Sequence, residues 1–211
     1  MNHNREKLSG RSLMVYGAIA LAIFSGSAAS AQRIALEPTA ASGAAATKAM
    51  TTITKPGSYV LSRNLTVTRA GIDGVLINSS NVTLNLQGFV ITGNSSAANG
   101  IEVASGQNNV IIVDGIITDF GGAGVVAGEG TNLSGLTVQG NGSGISAGIG
   151  SLVQGNIIQR NTGEGLTLSD STGGYVQNIL QGNGGSTSPG VIGQVTGGTS
   201  LGHNLCNGSA C

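Results

Sequence analysis

The sequence predicts an all-β, single-domain solenoid of about six or seven stacked coils, and three observations carry that reading. Leu136-Thr137-Val138-Gln139-Gly140-Asn141 aligns with Ile157-Ile158-Gln159-Arg160-Asn161 and with Ile179-Leu180-Gln181-Gly182-Asn183. Asn141, Asn161 and Asn183 thus recur 20 and then 22 positions apart. A second marker keeps the same beat, as Gly124-Val125, Gly144-Ile145 and Gly165-Leu166. Thirdly, Val82, Leu84 and Leu86 alternate with Thr83 and Asn85, the period of a strand buried on one face. A unit this short cannot bury its own apolar face, so stacking of unit on unit must supply the core.

Taken in order, residues 1–31 read as a secretory signal. Arg5, Lys7 and Arg11 form a basic start, Leu13 to Phe24 is an apolar run of 12, and Ala29-Ser30-Ala31 offers small residues for cleavage before Gln32. That run is shorter than the roughly 20 residues that span a bilayer, and no transmembrane segment is expected in the mature chain. Residues 32–52, rich in Ala, Thr and Ser, read as a leader capping the first open coil, with regular structure expected from Ile53.

The solenoid is assigned to residues 53–205. Lys55-Pro56-Gly57-Ser58 is a turn, because Pro fixes one φ and Gly accepts a positive one. Tyr59-Val60-Leu61 and Asn64-Leu65-Thr66-Val67 follow as strands. Gly88 interrupts the alternation at 81–93, and Phe89 and Ile91 restart it around a corner. Val110-Ile111-Ile112-Val113, Gly115 and Ile116-Ile117 repeat the arrangement one coil later. Each coil therefore holds two or three short strands, stacked about 4.8 Å from the next, in a stub about 30 Å long. In that stack Asn141, Asn161 and Asn183 form one column and Gln139, Gln159 and Gln181 another. An Asn at a tight bend can adopt the left-handed conformation and bond its neighbours above and below.

Composition narrows the function. Glycine is very abundant, at 37 residues, but aliphatic β-branched residues recur in register, which a disordered linker would not show. Without the signal, six Lys and Arg stand against eight Asp and Glu, a balance of −2, and Arg160 is the single Lys or Arg between Ala70 and Cys211. Nucleic acid and anionic membranes, which demand clustered cations, are not expected partners. Cys206 and Cys211, in an exported chain, are expected to form a disulfide pinning the tail at 206–211. Two thiols with only His203 nearby fall short of a four-ligand metal site.

Ile53 with Pro56 to Leu61 and Asn64-Leu65, the run Asn81 to Gly93, and the ending Asn204-Leu205-Cys206 to Cys211 together resemble right-handed parallel β-helix proteins of the pectate-lyase-like class. More closely, the chain is similar to small exported bacterial β-helix repeat proteins. The resemblance implies the handedness, which periodicity alone does not reveal. It leaves open an activity, since that class includes polysaccharide lyases, glycoside hydrolases, esterases and binding modules.

A lyase of the resembled class would need an Arg or Lys base, and Arg160 is the one candidate. A glycosidase would need two carboxylates about 5 to 10 Å apart. The candidates are Asp114 and Asp119, within one coil, and Glu129 and Asp170, which share a column with Ile149 between them. The enzyme reading requires these groups to converge on one groove. Ser-His-Asp chemistry is poorly supplied, with His203 alone in the mature chain and no G-x-S-x-G. No cofactor is expected, and Asp114, Asp119 or Asp170 would offer at most a weak Ca²⁺ site. The favoured expectation is a secreted or periplasmic, monomeric, non-catalytic module that binds extracellular polysaccharide or serves a structural role at the cell surface. The alternative is a polysaccharide lyase or glycoside hydrolase using surface carboxylates.

Overall fold

A computed structural model of the chain describes residues 33–36, 48–185 and 193–211. The signal assigned to residues 1–31 lies outside them. The chain winds as a parallel β-solenoid whose cross-section has three faces. Face 1 stacks Arg33–Leu36, Gly57–Leu61, Val82–Asn85, the first half of Val110–Thr118, the first half of Asn132–Gln139, Leu152–Gln154, Gly174–Val176 and Thr199–Ser200. Face 2 stacks Leu65–Thr66, Val90–Thr92, the second halves of the two long strands, Ile157–Gln159, Ile179–Gln181 and Leu205–Cys206. Face 3 is a separate seven-stranded sheet, running from Ala49–Ile53 to Val195–Thr196.

Register explains the repeat. Thr137 pairs with Ile157, and Ile157 with Ile179, so the segments aligned in the sequence are adjacent rungs of face 2. Inward positions form continuous columns. On face 1 these are Tyr59, Leu84, Ile112, Leu133, Val153 and Tyr175, all buried. On face 2 they run from Leu65 through Ile91, Ile117, Val138, Ile158 and Leu180 to Cys206. Each fully buried aliphatic side chain contributes about 1.5–3 kcal/mol of transfer free energy, and every column shares its neighbours' contacts.

The Gly-aliphatic marker has a steric cause. Gly144 opens face 3 where that face closes on face 2, and a Cβ there would lie 2.1 Å from the Gly165 carbonyl oxygen and 2.6 Å from Ile158 Cγ2. Gly74, Gly100, Gly124 and Gly165 occupy the same slot in other coils. The aliphatic residue after each glycine points into the core.

Two expectations change. Regular structure begins well before Ile53, because Arg33–Leu36 pairs with Gly57–Leu61 and Ala49–Ile53 pairs with Asp73–Ile77. The Ala- and Thr-rich composition of 32–52 hid two strands whose inward residues, Leu36, Ala49 and Ile53, are few but buried. Nor do the column asparagines adopt the left-handed conformation. The residue before each does: Gly140, Arg160 and Gly182 have φ of 67°, 54° and 63°. That residue is the pivot of the corner, and the turn it makes swings the following Asn side chain into the interior.

The tail closes as a two-residue hairpin. Asn207 and Gly208 both have positive φ, the pairing favoured in tight hairpins, and Leu205–Cys206 pairs antiparallel with Ser209–Ala210. Cys206 and Cys211 form a disulfide, with Cys206 wholly buried at the end of the face 2 column. Among the described residues no helix is long and apolar enough to cross a membrane.

Candidate functional site

The corners carry the chain's polar chemistry, because inward strand positions are filled by aliphatics. At the edge between faces 1 and 2 the left-handed pivot is Asp114, Gly135, Gly155, Gln177 and His203 in successive coils. At the edge between faces 2 and 3 it is Asp119, Gly140, Arg160 and Gly182. Asp114 and Asp119 therefore sit at opposite ends of face 2, both exposed. Glu129 and Asp170 lie at the third edge, each two residues past the registered face 3 residues Ala127, Ala147 and Leu168, with Ile149 between them. The four carboxylates are distributed over three edges. Asp170 accepts from the Thr172 hydroxyl and from its backbone N–H, and these bonds hold its carboxyl below the usual range. Among the described residues no three His, Cys, Asp or Glu side chains gather as a metal-binding group.

The edge between faces 2 and 3 brings other candidates together. Two depressions lie along it, of about 470 and 330 Å³. The first is lined by Ser95, Asp119, Gly121, Gly140, Gly142 and Thr162 over buried Phe120 and Asn141. The second is lined by Arg160, Gln181, Gly182 and Asn207. Asp119 and Arg160 are two coils apart at the pivot position, a separation of about 10 Å along the axis. The glycine pivot Gly140, with no side chain, lies between them. Beside this edge the glutamine column runs up face 2, with Gln159 Nε2 donating to Gln139 Oε1 at 2.9 Å and Gln181 next in register. The two depressions lie in line along the solenoid axis as a shallow trough of mixed polar and apolar lining, with side chains able to offer hydrogen bonds to a linear polymer.

Beneath the trough lies a buried ladder. Asn161 Oδ1 accepts from Asn141 N and Nδ2 at 3.0 and 3.2 Å. Asn183 Oδ1 accepts from Asn161 N and Nδ2 at 3.1 and 2.9 Å. Each Nδ2 also donates to a carbonyl of the preceding coil, as Asn161 does to Val138. The carboxamide thus replaces the backbone rung that the corner interrupts, and every polar atom is satisfied. A second ladder, not foreseen from the repeat, stacks Asn156, Asn178 and Asn204 at the edge between faces 1 and 2. Its signal was Asn after a variable pivot, in Gly155-Asn156, Gln177-Asn178 and His203-Asn204.

Also unforeseen is a charged cluster on face 3. Lys48 of the first coil pairs with Glu102 of the third, and Asn99 Nδ2 donates to Glu102 Oε2 at 3.2 Å. Asp73, in the coil between, is 1% exposed and accepts from Asn99 N at 2.9 Å. Its other oxygen meets no N–H or O–H donor, and instead faces the Glu102 carboxyl. Two carboxyls in that relation are satisfied when one carries a proton. Burial, reinforced by Glu102, raises Asp73 to about 6. Burial also pushes Glu102 upward, but hydrogen bonds from Lys48 and Asp73 prevail and hold it below its ordinary value. A split pair of this kind is a familiar acid–base signature, yet Asp73 is covered and touches its partner, leaving no room for a substrate between them.

The chain matches the family model described as the right handed beta helix region over residues 53–205. No curated protein and no solved structure matches it. The match spans most of the chain and coincides with the stacked coils, and the chain belongs to the right-handed β-helix family.

Proposed function

We propose that the protein is an exported, non-catalytic β-helix module that holds an extended polysaccharide in the trough between faces 2 and 3. The observation that carries this reading is the trough itself. Its two depressions follow one another along the same edge, and their side-chain groups are neutral hydrogen-bonding residues with single charges at Asp119 and Arg160. Repeating rungs suit a repeating polymer. The dispersal of Asp114, Asp119, Glu129 and Asp170 over three edges supports binding over cleavage, because glycoside hydrolysis needs two carboxyls facing one bond. The Cys206–Cys211 disulfide supports an oxidising compartment.

The test is exposure of the purified protein to a panel of polysaccharides, with retention read beside new reducing ends and unsaturated products. Retention without products is expected, and the double substitution Arg160→Ala, Gln181→Ala should weaken it about tenfold, the loss of one or two net hydrogen bonds. Turnover abolished by Asp114→Asn or Asp170→Asn would favour the polysaccharide-degrading alternative instead.

A further inference from the structure

We infer that the Lys48–Asp73–Glu102 cluster is a proton-dependent latch, in which one proton shared between Asp73 and Glu102 holds the N-terminal coil against the rest of the solenoid. The geometry points to it because the three groups come from three consecutive coils. Lys48 immediately precedes the strand Ala49–Ile53, and its carbonyl accepts from Asp73 N at 2.8 Å. Its ammonium then reaches past the second coil to Glu102 of the third. Asp73 lies enclosed between them. The charged groups facing it are Lys48 from the coil before and Glu102 from the coil after. Asn99 contributes a backbone N–H, and the fourth coil presents only uncharged Ala123 and Val126 to this patch.

With the shared proton in place, Asp73 donates to Glu102, Glu102 keeps its charge, and Lys48 neutralises it. Removing the proton leaves two carboxylates in contact with one ammonium, and one of the two is buried. Opening the first coil relieves this by returning Asp73 to water. A carboxyl held above its unfolded value contributes stability at low pH, and the contribution is lost as pH rises through the folded value. For Asp73 that loss falls around pH 6. Glu102, held below its ordinary value, acts in the opposite sense, and its contribution fades as pH falls through the acid range. The first coil is therefore held most firmly in mild acid.

Hydrogen exchange of the purified full chain, corrected for intrinsic rates, tests the latch between pH 5 and pH 8. Protection within Ala49–Ile53 should fall about tenfold over that interval, while protection within Ser143–Ala147 stays constant. Asp73→Asn, whose amide donates to Glu102 at any pH, should abolish the fall. Glu102→Gln, which gives ionised Asp73 a donor but leaves it buried, should shrink the fall and serves if the first variant does not fold. An unchanged pH dependence in whichever variant folds, or a uniform change across all coils in the natural chain, overturns the proposal.

Discussion

The N-terminal and C-terminal coils solve the same corner in different ways. In the C-terminal coils a rung advances by 20 to 22 residues, as from Asn132 to Leu152 and from Leu152 to Gly174, and a single pivot followed by a buried Asn turns the corner at each end of face 2. In the N-terminal coils the advance is longer, from Thr83 to Ile111 for instance, and the extra residues form an Asx turn at Asn94 over a plug of Ala97, Ile72 and Val67. Phe120 marks the changeover. It takes the slot that Asn141, Asn161 and Asn183 hold in later coils, and its backbone N–H donates to Asn141 Oδ1 while its ring lies on Gly93. Leu136 does the same for the second ladder, donating to Asn156 Oδ1. Short corners demand polar side chains that replace missing backbone rungs. Long corners add local turns of their own, with Asn64 and Asn94 supplying cross-coil bonds to Val90 N and the Thr68 carbonyl from less buried positions.

Phe120→Ala should produce the largest loss, about 4 kcal/mol, because it empties the space over Gly93 where the two solutions meet. Chemical denaturation would show it, and a loss below 1 kcal/mol would mean the plug does not seal the changeover. Asn161→Ala comes next, at about 3 kcal/mol, since Asn141 N and the Val138 carbonyl lose the Asn161 side chain and Asn141 Nδ2 keeps only the Ile117 carbonyl. Hydrogen exchange should place that damage in the coils around 141–183 and spare those before Phe120. Arg160→Gly is expected to have the smallest effect and the opposite sign. Its φ of 54° is a left-handed conformation that glycine adopts without strain, so the variant should be more stable by about 1 kcal/mol in the same denaturation assay.

Legibility in the sequence followed the same divide. Where coils are short and regular, the columns Asn141–Asn161–Asn183 and Gln139–Gln159–Gln181 are adjacent rungs as read, and Val82, Leu84 and Leu86 point inward as their alternation implies. The conformation of the asparagines was not legible, because the residue bearing the left-handed φ and the residue profiting from the turn are neighbours. The Lys48, Asp73 and Glu102 cluster was hidden by the uneven spacing of the longer coils. Phe120 concealed the start of the ladder by replacing its polar residue with an aromatic one. The site reading fared differently from the fold. Asp119 and Arg160 lie on one edge with a trough between, whereas Asp114, Glu129 and Asp170 lie on the other two, and only corner geometry could separate them.

The two asparagine ladders have a consequence for how such a chain can grow. Each begins at an apolar residue that lends only a backbone N–H and ends at a side chain with its own local partners: Gln194 bonding Asn183, and Asn204 bonding the Tyr175 carbonyl. Between those terminators every coil presents the same donors below and the same acceptors above. A duplicated segment of about 20 residues could enter there with no polar atom orphaned on either side. Length is thus an adjustable quantity in the C-terminal half of this molecule, open to inheritance by whole units, while the N-terminal half is fixed by pieces that fit only one another.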